Sequence, residues 1–339
     1  MNDRLSNKDS LSLPLREQAR AITNAIRAGQ LDDKQLAAEL TQLGCEVKLS
    51  SPNPEIAPET DKDLKDFYNV LAGDNGRDEN GKPNIQPSEI KSEETFLAEL
   101  TEKPNNRVLM VLKDKTTGEV MNGIYGPLYM ANGKLWATLE YQCSANTKYA
   151  KQGFGSLVFA IYEKKLKEIA EARGVEFGGI LIEAVDAAAA YWGKVGAKGV
   201  YAKEGNQAKQ ASYAMPCVEF DPQTGQAASG FSRENIKIVP SLANQKTITV
   251  GEFKKIIEAF YHESYWPKRE NFENDAAHQK AVASVQRTLD KICLRQFKNL
   301  ADDFVLHLNF DEELVQEGLV KTKPWERNPV RNAVKQTLE

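Results

Sequence analysis

Residues 141–156, YQCSANTKYAKQGFGS, constrain this chain more than any other stretch. An alternating segment ends near Cys143, and a short loop then carries Gly153-Phe154-Gly155-Ser156. A helix is predicted to start at once, because Leu157, Val158, Ile161, Leu166 and Ile169 recur on one face at helical spacing. Glycines let backbone approach a ligand with no side chain in the way. The first turn of a helix offers N–H groups without helical partners and the positive end of the dipole. A strand, a glycine turn and a helix start in succession therefore predict a phosphate or pyrophosphate cradle.

Two common nucleotide loops do not fit. The dinucleotide fingerprint wants a third glycine where Val158 stands, and the Walker loop wants a lysine where Ser156 stands. The surroundings say more. Residues 107–112 and 120–130 read as strands, with Thr116-Thr117-Gly118 as the turn between them. Asn132-Gly133 is a hairpin signal. Leu135, Ala137, Leu139 and Tyr141 then alternate with Trp136, Thr138, Glu140 and Gln142, which predicts a strand with those two faces. After the helix, Gly178-Gly179 precedes a buried strand at 180–184. A short helix is predicted at 186–195, followed by strands at 199–202 and 211–220.

This order resembles the GNAT superfamily of acyl-CoA N-acyltransferases, over roughly residues 60–220. The family's loop reads Arg/Gln-x-x-Gly-x-Gly/Ala. The corresponding stretch here is Ala150-Lys151-Gln152-Gly153-Phe154-Gly155, with both glycines in place and Ala150 at the leading position. The family's later motif reads Leu-Tyr-x-Lys-x-Gly-Phe. Here Tyr191-Trp192-Gly193-Lys194-Val195-Gly196-Ala197 keeps Lys194 and Gly196 but has Trp192 for the tyrosine and Ala197 for the phenylalanine. The resemblance implies an α/β (α+β) fold: a mixed, mostly antiparallel sheet flanked by helices. It also implies acetyl-CoA, or another acyl-CoA, as co-substrate and a primary amine as acceptor, with direct transfer between them.

Such a reaction has to hold a thioester, stabilise its developing oxyanion and take a proton from an ammonium group. The resemblance puts the pantetheine along the strand end at Cys143 and Ala145, bonded as an added strand would be. The pyrophosphate would sit on the backbone N–H groups of Gln152, Gly153, Phe154, Gly155 and Ser156. Lys148 and Lys151 are candidates to neutralise its charge, against an ordinary solvated face. Glu140, just before the loop, is the first candidate for the general base, against a solvent-facing strand glutamate; Glu183 is the second. Tyr191 is a candidate to protonate the leaving thiolate, whereas Trp192 has no proton to give and is expected to pack against cofactor or core. Cys143 reads as a strand thiol, with no histidine near it in sequence.

Composition narrows the setting. The 339 residues carry a net charge of −4, which argues against a general nucleic-acid or membrane-surface binder. Cys45, Cys143, Cys217 and Cys293 are widely spaced, so neither a zinc site nor a disulfide framework is expected. No stretch approaches the roughly 20 apolar residues of a membrane span. Residues 1–10 are polar with no apolar signal core, so a cytoplasmic setting is expected, and delivery by a signal-independent secretion system stays compatible. Three parts are expected: a helical segment at 1–50 with a disordered start, the GNAT-like domain at 60–220, and a helical region at 245–339. The last two are joined by a polar linker at 221–230, and helices are read at 250–265 and 274–308. No metal is expected, since Asp74, Asp78 and Glu79 lack calcium-loop spacing and the histidines His262, His278 and His307 lack zinc spacing. The extra helical segments raise the option of a protein as the amine acceptor. The departures at Ala150 and Trp192 raise another, an inactive binding or acyl-CoA-sensing module. An effector acetyltransferase delivered outside the cell is a third.

Overall fold

A computed structural model describes residues 14–50, 60–73, 90–102, 106–144, 149, 152–184, 189–205, 207–317 and 319. The chain divides into two compact units, one of residues 1–128 and 139–173, the other of residues 129–138 and 174–339. In the first unit, α1 (Leu15–Arg27) starts behind Pro14 and buries Ala19, Ile22, Thr23 and Ile26. α2 (Asp33–Gln42) starts on a capping box: Gln35 N donates to Asp32 Oδ1 at 2.8 Å, and Asp32 N donates to Gln35 Oε1 at 3.0 Å. β1 (Cys45–Ser50) follows, then α3 (Thr60–Ala72), α4 (Glu93–Glu102), β2 (Arg107–Asp114) and β3 (Val120–Ala131).

β1 pairs antiparallel with β2, and β2 with β3. Past β4 (Lys134–Leu139), β5 (Tyr141–Ser144) returns to pair antiparallel with β3, Tyr141 opposite Tyr125 and Cys143 opposite Gly123. Gly123 is required by packing, because a Cβ there would come within 2.4 Å of the Phe67 ring on α3. Phe96 of α4 lies 4.4 Å from the Tyr125 ring on the same sheet. α5 (Phe154–Ala172) buries Leu157, Val158, Ile161 and Leu166, the stripe predicted from its spacing, and packs along α1.

In the second unit, the end of β3 and β4 make the predicted hairpin, closed by Asn132 at φ 53° and Gly133 at φ 74°. β6 (Glu176–Ala184), α6 (Ala189–Lys194), β7 (Lys198–Glu204), β8 (Gln207–Gln210) and β9 (Ser212–Met215) follow. Then come β10 (Ser232–Pro240), β11 (Thr247–Thr249), α7 (Val250–Ser264), α8 (Asp275–Thr288), β12 (Val305–Asn309) and α9 (Asp311–Gln316). The strands lie in the order β4-β6-β10-β7-β12-β11. Gly178 in β6 lets Trp136 lie flat on the sheet, since a Cβ there would be 2.3 Å from its indole nitrogen. Phe253, Ile256 and Phe260 of α7 and Val285 of α8 pack in one core with Leu181, Val200, Ile236 and Ile238.

Several sequence expectations change here. The spacing predicts no element at 231–244, yet β10 is there, antiparallel to both β6 and β7. Its run Ile236-Lys237-Ile238-Val239 is only four residues long, and Lys237 is buried with its apolar neighbours, so the sequence does not show that both faces are covered. The helix expected over 274–308 ends at Thr288, and its last residues form β12, buried at Leu306 and Leu308 and exposed at Val305. That period of two is only five residues long, and its partner β7 is distant in sequence, so pairing decides it. The region from 245 therefore contributes strands as well as helices. The polar stretch at 221–230 includes a tight turn, with Gly225 N donating to Asp221 O at 2.8 Å. The acidic loop with Asp74, Asp78 and Glu79 lies outside the described residues, as do residues 1–13 and 321–339. No described helix is long and apolar enough to cross a membrane.

Candidate active site

Gly153 takes a left-handed conformation, φ 85°, as the residue before α5. No side chain caps that helix, and no acidic residue stands in its first turn. Among the described residues, no side chain accepts from the first-turn N–H groups and no first-turn carboxylate opposes an anion there. A Cβ on Gly153 would lie 3.6 Å from Ala19 Cβ and from Arg16 O, so α1 flanks the turn closely. Gln142 ties β5 to the same turn, its Nε2 donating to Gly155 O at 2.9 Å. Gln152, Gly155 and Ser156 are half-buried, whereas Phe154 is buried, edge-on to Tyr149 at 6.4 Å. Phe154 can therefore offer a ligand its backbone but not its ring. Ala145, Lys148, Ala150 and Lys151 lie outside the described residues.

β5 pairs with β3 along one edge, and within the first unit its other edge meets no described strand. Its backbone groups on that side suit an extended ligand. Cys143 is half-buried, and burial pushes its thiol up to about 12, so it rests protonated and is a poor nucleophile.

The strand breaks at Glu140, between β4 and β5, where Glu140 N donates to Tyr125 O at 3.1 Å. The alternation expected through this point fails there: Glu140 and Tyr141 both reach Lys91, one through its ammonium and the other through its backbone N–H. An interruption of the ladder redirects side chains that a regular strand would send to opposite faces. Lys91 Nζ donates to Glu140 Oε2 at 3.1 Å and to Glu99 Oε1 and Oε2 at 2.8 and 3.0 Å. Tyr125 Oη donates to Glu99 Oε2 at 2.9 Å, and Arg107 Nε lies 3.5 Å from the same oxygen. Burial opposes the charge on Lys91, but Glu140 and Glu99 outweigh it and raise its pKa above the ordinary lysine value. Burial likewise opposes the charge on Glu99, and Lys91 and Arg107 outweigh it, holding its carboxyl below the usual range. The Glu140 side chain is only 5% exposed, and its Oε1 has no hydrogen-bond partner among the described residues. The hydroxyl of Tyr162, on α5, is also buried without a partner; burial and then the Glu140 charge push its pKa up. Lys91, Glu99, Arg107, Tyr125 and Tyr162 escape sequence reading, because no spacing links the polar 91–99 stretch to an apolar strand.

The remaining candidates lie in the second unit. Tyr265 Oη reaches both carboxylate oxygens of Glu183, at 2.7 and 2.8 Å. Tyr191 and Trp192, on α6, meet edge-on at 4.8 Å; Trp192 is buried and Tyr191 half-buried. His262 lies against Trp266 at 4.1 Å, and His278 Nε2 is 3.0 Å from Pro267 O. No group of metal-binding side chains occurs among the described residues.

Along the chain, the four strands β2 to β5 lead through a glycine turn to α5, then β6, the short helix α6 and further strands. No family model and no curated protein matches the sequence. Among solved structures, a mutant spermidine N-acetyltransferase from Vibrio cholerae superimposes at a TM-score of 0.33 and 10% identity, covering 58% of this chain and 94% of that one. A GNAT-family acetyltransferase from Streptococcus pneumoniae gives 0.32 and 12%, covering 57% and 97%. An acetyltransferase from Trypanosoma brucei gives 0.31 and 14%, covering 48% and 95%. Scores of this size establish no family membership; what bears on this chain's chemistry is its own residues.

Proposed function

We propose that this protein is an acyl-CoA-dependent N-acyltransferase that moves an acetyl group directly from acetyl-CoA to a primary amine. The observation that carries the reading is the strand break at Glu140, followed within one stretch of chain by a strand edge that meets no described strand of the first unit, Gly153 at positive φ and a helix start with no side-chain cap among the described residues. The donor set suits the cofactor: first-turn N–H groups for a pyrophosphate, and backbone groups of β5 for amide groups. When bound, the thioester supplies an activated acyl carbon and a thiolate leaving group. Glu140 Oε1 accepts the proton of the acceptor's ammonium group, which frees the nitrogen lone pair to form the C–N bond as the C–S bond breaks. The thiolate leaves without a dedicated acid, because a thiol's pKa of about 8–9 makes it a tolerable leaving group near neutral pH. Tyr191 serves packing on this view, and Trp192 fills the core of α6.

The test is binding before turnover. Acetyl-CoA should raise the melting temperature, since a ligand that binds only the native state stabilises it. Gly155→Asp should remove that rise while leaving the free protein folded, because an acidic residue in a first turn favours the helix and repels a phosphate. An unchanged melting curve at millimolar acetyl-CoA would sink the reading.

A further inference from the structure

The direction of the Glu140 carboxylate is set by a residue 49 positions earlier in the chain. We propose that Lys91 is the positioning residue of the acyl-transfer site: by holding Oε2 of Glu140, it leaves Oε1 as the one carboxylate atom that accepts from the acceptor amine. This rests on the N-acyltransferase reading above.

Lys91 is held at both ends. Its backbone N–H donates to Tyr141 Oη at 3.4 Å, and its carbonyl accepts from Tyr68 Oη at 3.1 Å. Its ammonium group has three protons to donate, and three carboxylate oxygens lie within bonding distance. The side chain is 8% exposed, so water cannot substitute freely for those partners. If Glu140 turned away, a buried ammonium would lose one of its two counter-charges, which is costly in a region of low dielectric. Glu99 is itself held in place, since Tyr125 donates to its Oε2 and Arg107 Nε lies beside the same oxygen. The two cations and two carboxylates balance, and the imbalance lies in hydrogen bonding alone. Every oxygen of Glu99 is met, while Glu140 Oε1 is buried and unmet. Buried carboxylate oxygens are rarely left so, and an orphaned one held in a fixed direction is poised for a donor that arrives with a ligand.

The titratable groups around Glu140 are Lys91, Glu99 of α4, Arg107 of β2, Tyr125 of β3, Tyr141 of β5 and Tyr162 of α5. Burial and the nearby carboxylates raise the phenols of Tyr125 and Tyr162, which stay neutral through the working range. Taking an ammonium away from a carboxylate lets it bind a proton at higher pH.

The experiment compares wild type, Glu99→Gln, and the double variant Lys91→Met with Glu99→Gln, which removes one charge of each sign. Melting and acetyl-CoA binding are measured first, then kcat/KM for an amine against pH. Relative to Glu99→Gln, the double variant should lose about tenfold or more in kcat/KM with acetyl-CoA binding intact. Its acid limb should move up by about one pH unit or more. Should it not fold, Lys91→Gln serves, with the same expected shift. An acid limb that stays in place, with kcat/KM within about threefold of the control, overturns the proposal alone. No transfer by the wild type overturns the acyltransferase reading and this proposal with it.

Discussion

In the second unit, Asp311 commits both carboxylate oxygens to its own neighbours; in the first, Glu140 commits one. Asp311 Oδ2 accepts from Lys237 Nζ at 2.7 Å, and Oδ1 accepts from the Tyr201 hydroxyl, with Lys237 and Asp311 almost fully buried. That cluster is closed. It fastens α9 to the strands β7 and β10, and it offers nothing to a ligand. The Lys91 cluster uses the same residue types, a lysine, carboxylates and a tyrosine, yet leaves Glu140 Oε1 unmet. Burial and ion pairing are common to both. What separates a brace from a candidate site is a carboxylate oxygen left over, because a satisfied buried pair has no free-energy gain to make from a guest.

The largest expected effect tests the open cluster. Glu140→Gln should lower turnover by about 10²–10⁴-fold while acetyl-CoA binding persists, and part of the loss should return at high pH, where the amine is already neutral. A mutant within threefold of wild type would move the role to Glu183. The closed cluster should answer in stability instead. Lys237→Met leaves Asp311 buried without its cation and should cost about 3–5 kcal/mol in denaturant unfolding, whereas Lys237→Met with Asp311→Leu should recover much of that loss. An equal loss from both would mean that the pair is not what holds the site. The smallest effect concerns pH. Glu99 is depressed below its ordinary 4.5, so its contribution is complete above that value and is lost as pH falls through its folded value. Lys91 is raised above its ordinary 10.5, so its contribution is complete below that value and is lost as pH rises through its folded value. The melting temperature of wild type should thus fall below about pH 4.5 more steeply than that of Glu99→Gln. Parallel curves would show that the cluster contributes nothing to acid stability.

Local signals carried the parts of the fold that depend on neighbours in sequence. The Asn132-Gly133 turn, the apolar stripe of α5 and the glycine at the start of that helix are all readable from residues a few positions apart. So were the approximate places of β2, β3 and β6. β10 and β12 were not readable, because a short strand owes its state to partners far along the chain. The candidate site divides in the same way. Glu140, Cys143 and the residues of the glycine turn stand in one stretch, whose motif is its own signal.

By itself, then, the sequence determined a strand–glycine–helix unit and placed a carboxylate just ahead of it, since backbone conformation at Gly153 and helical periodicity are local properties. Only the tertiary structure decided what that carboxylate meets. Lys91 and Glu99 come from α4 and the segment before it, Arg107 from β2, Tyr125 from β3 and Tyr162 from α5, and no periodicity connects them. The break at Glu140 turns its side chain toward Lys91, a consequence of how β5 pairs with β3. Charge pairing inside a protein is a matter of distance through space, and sequence separation carries no information about it until the chain has folded.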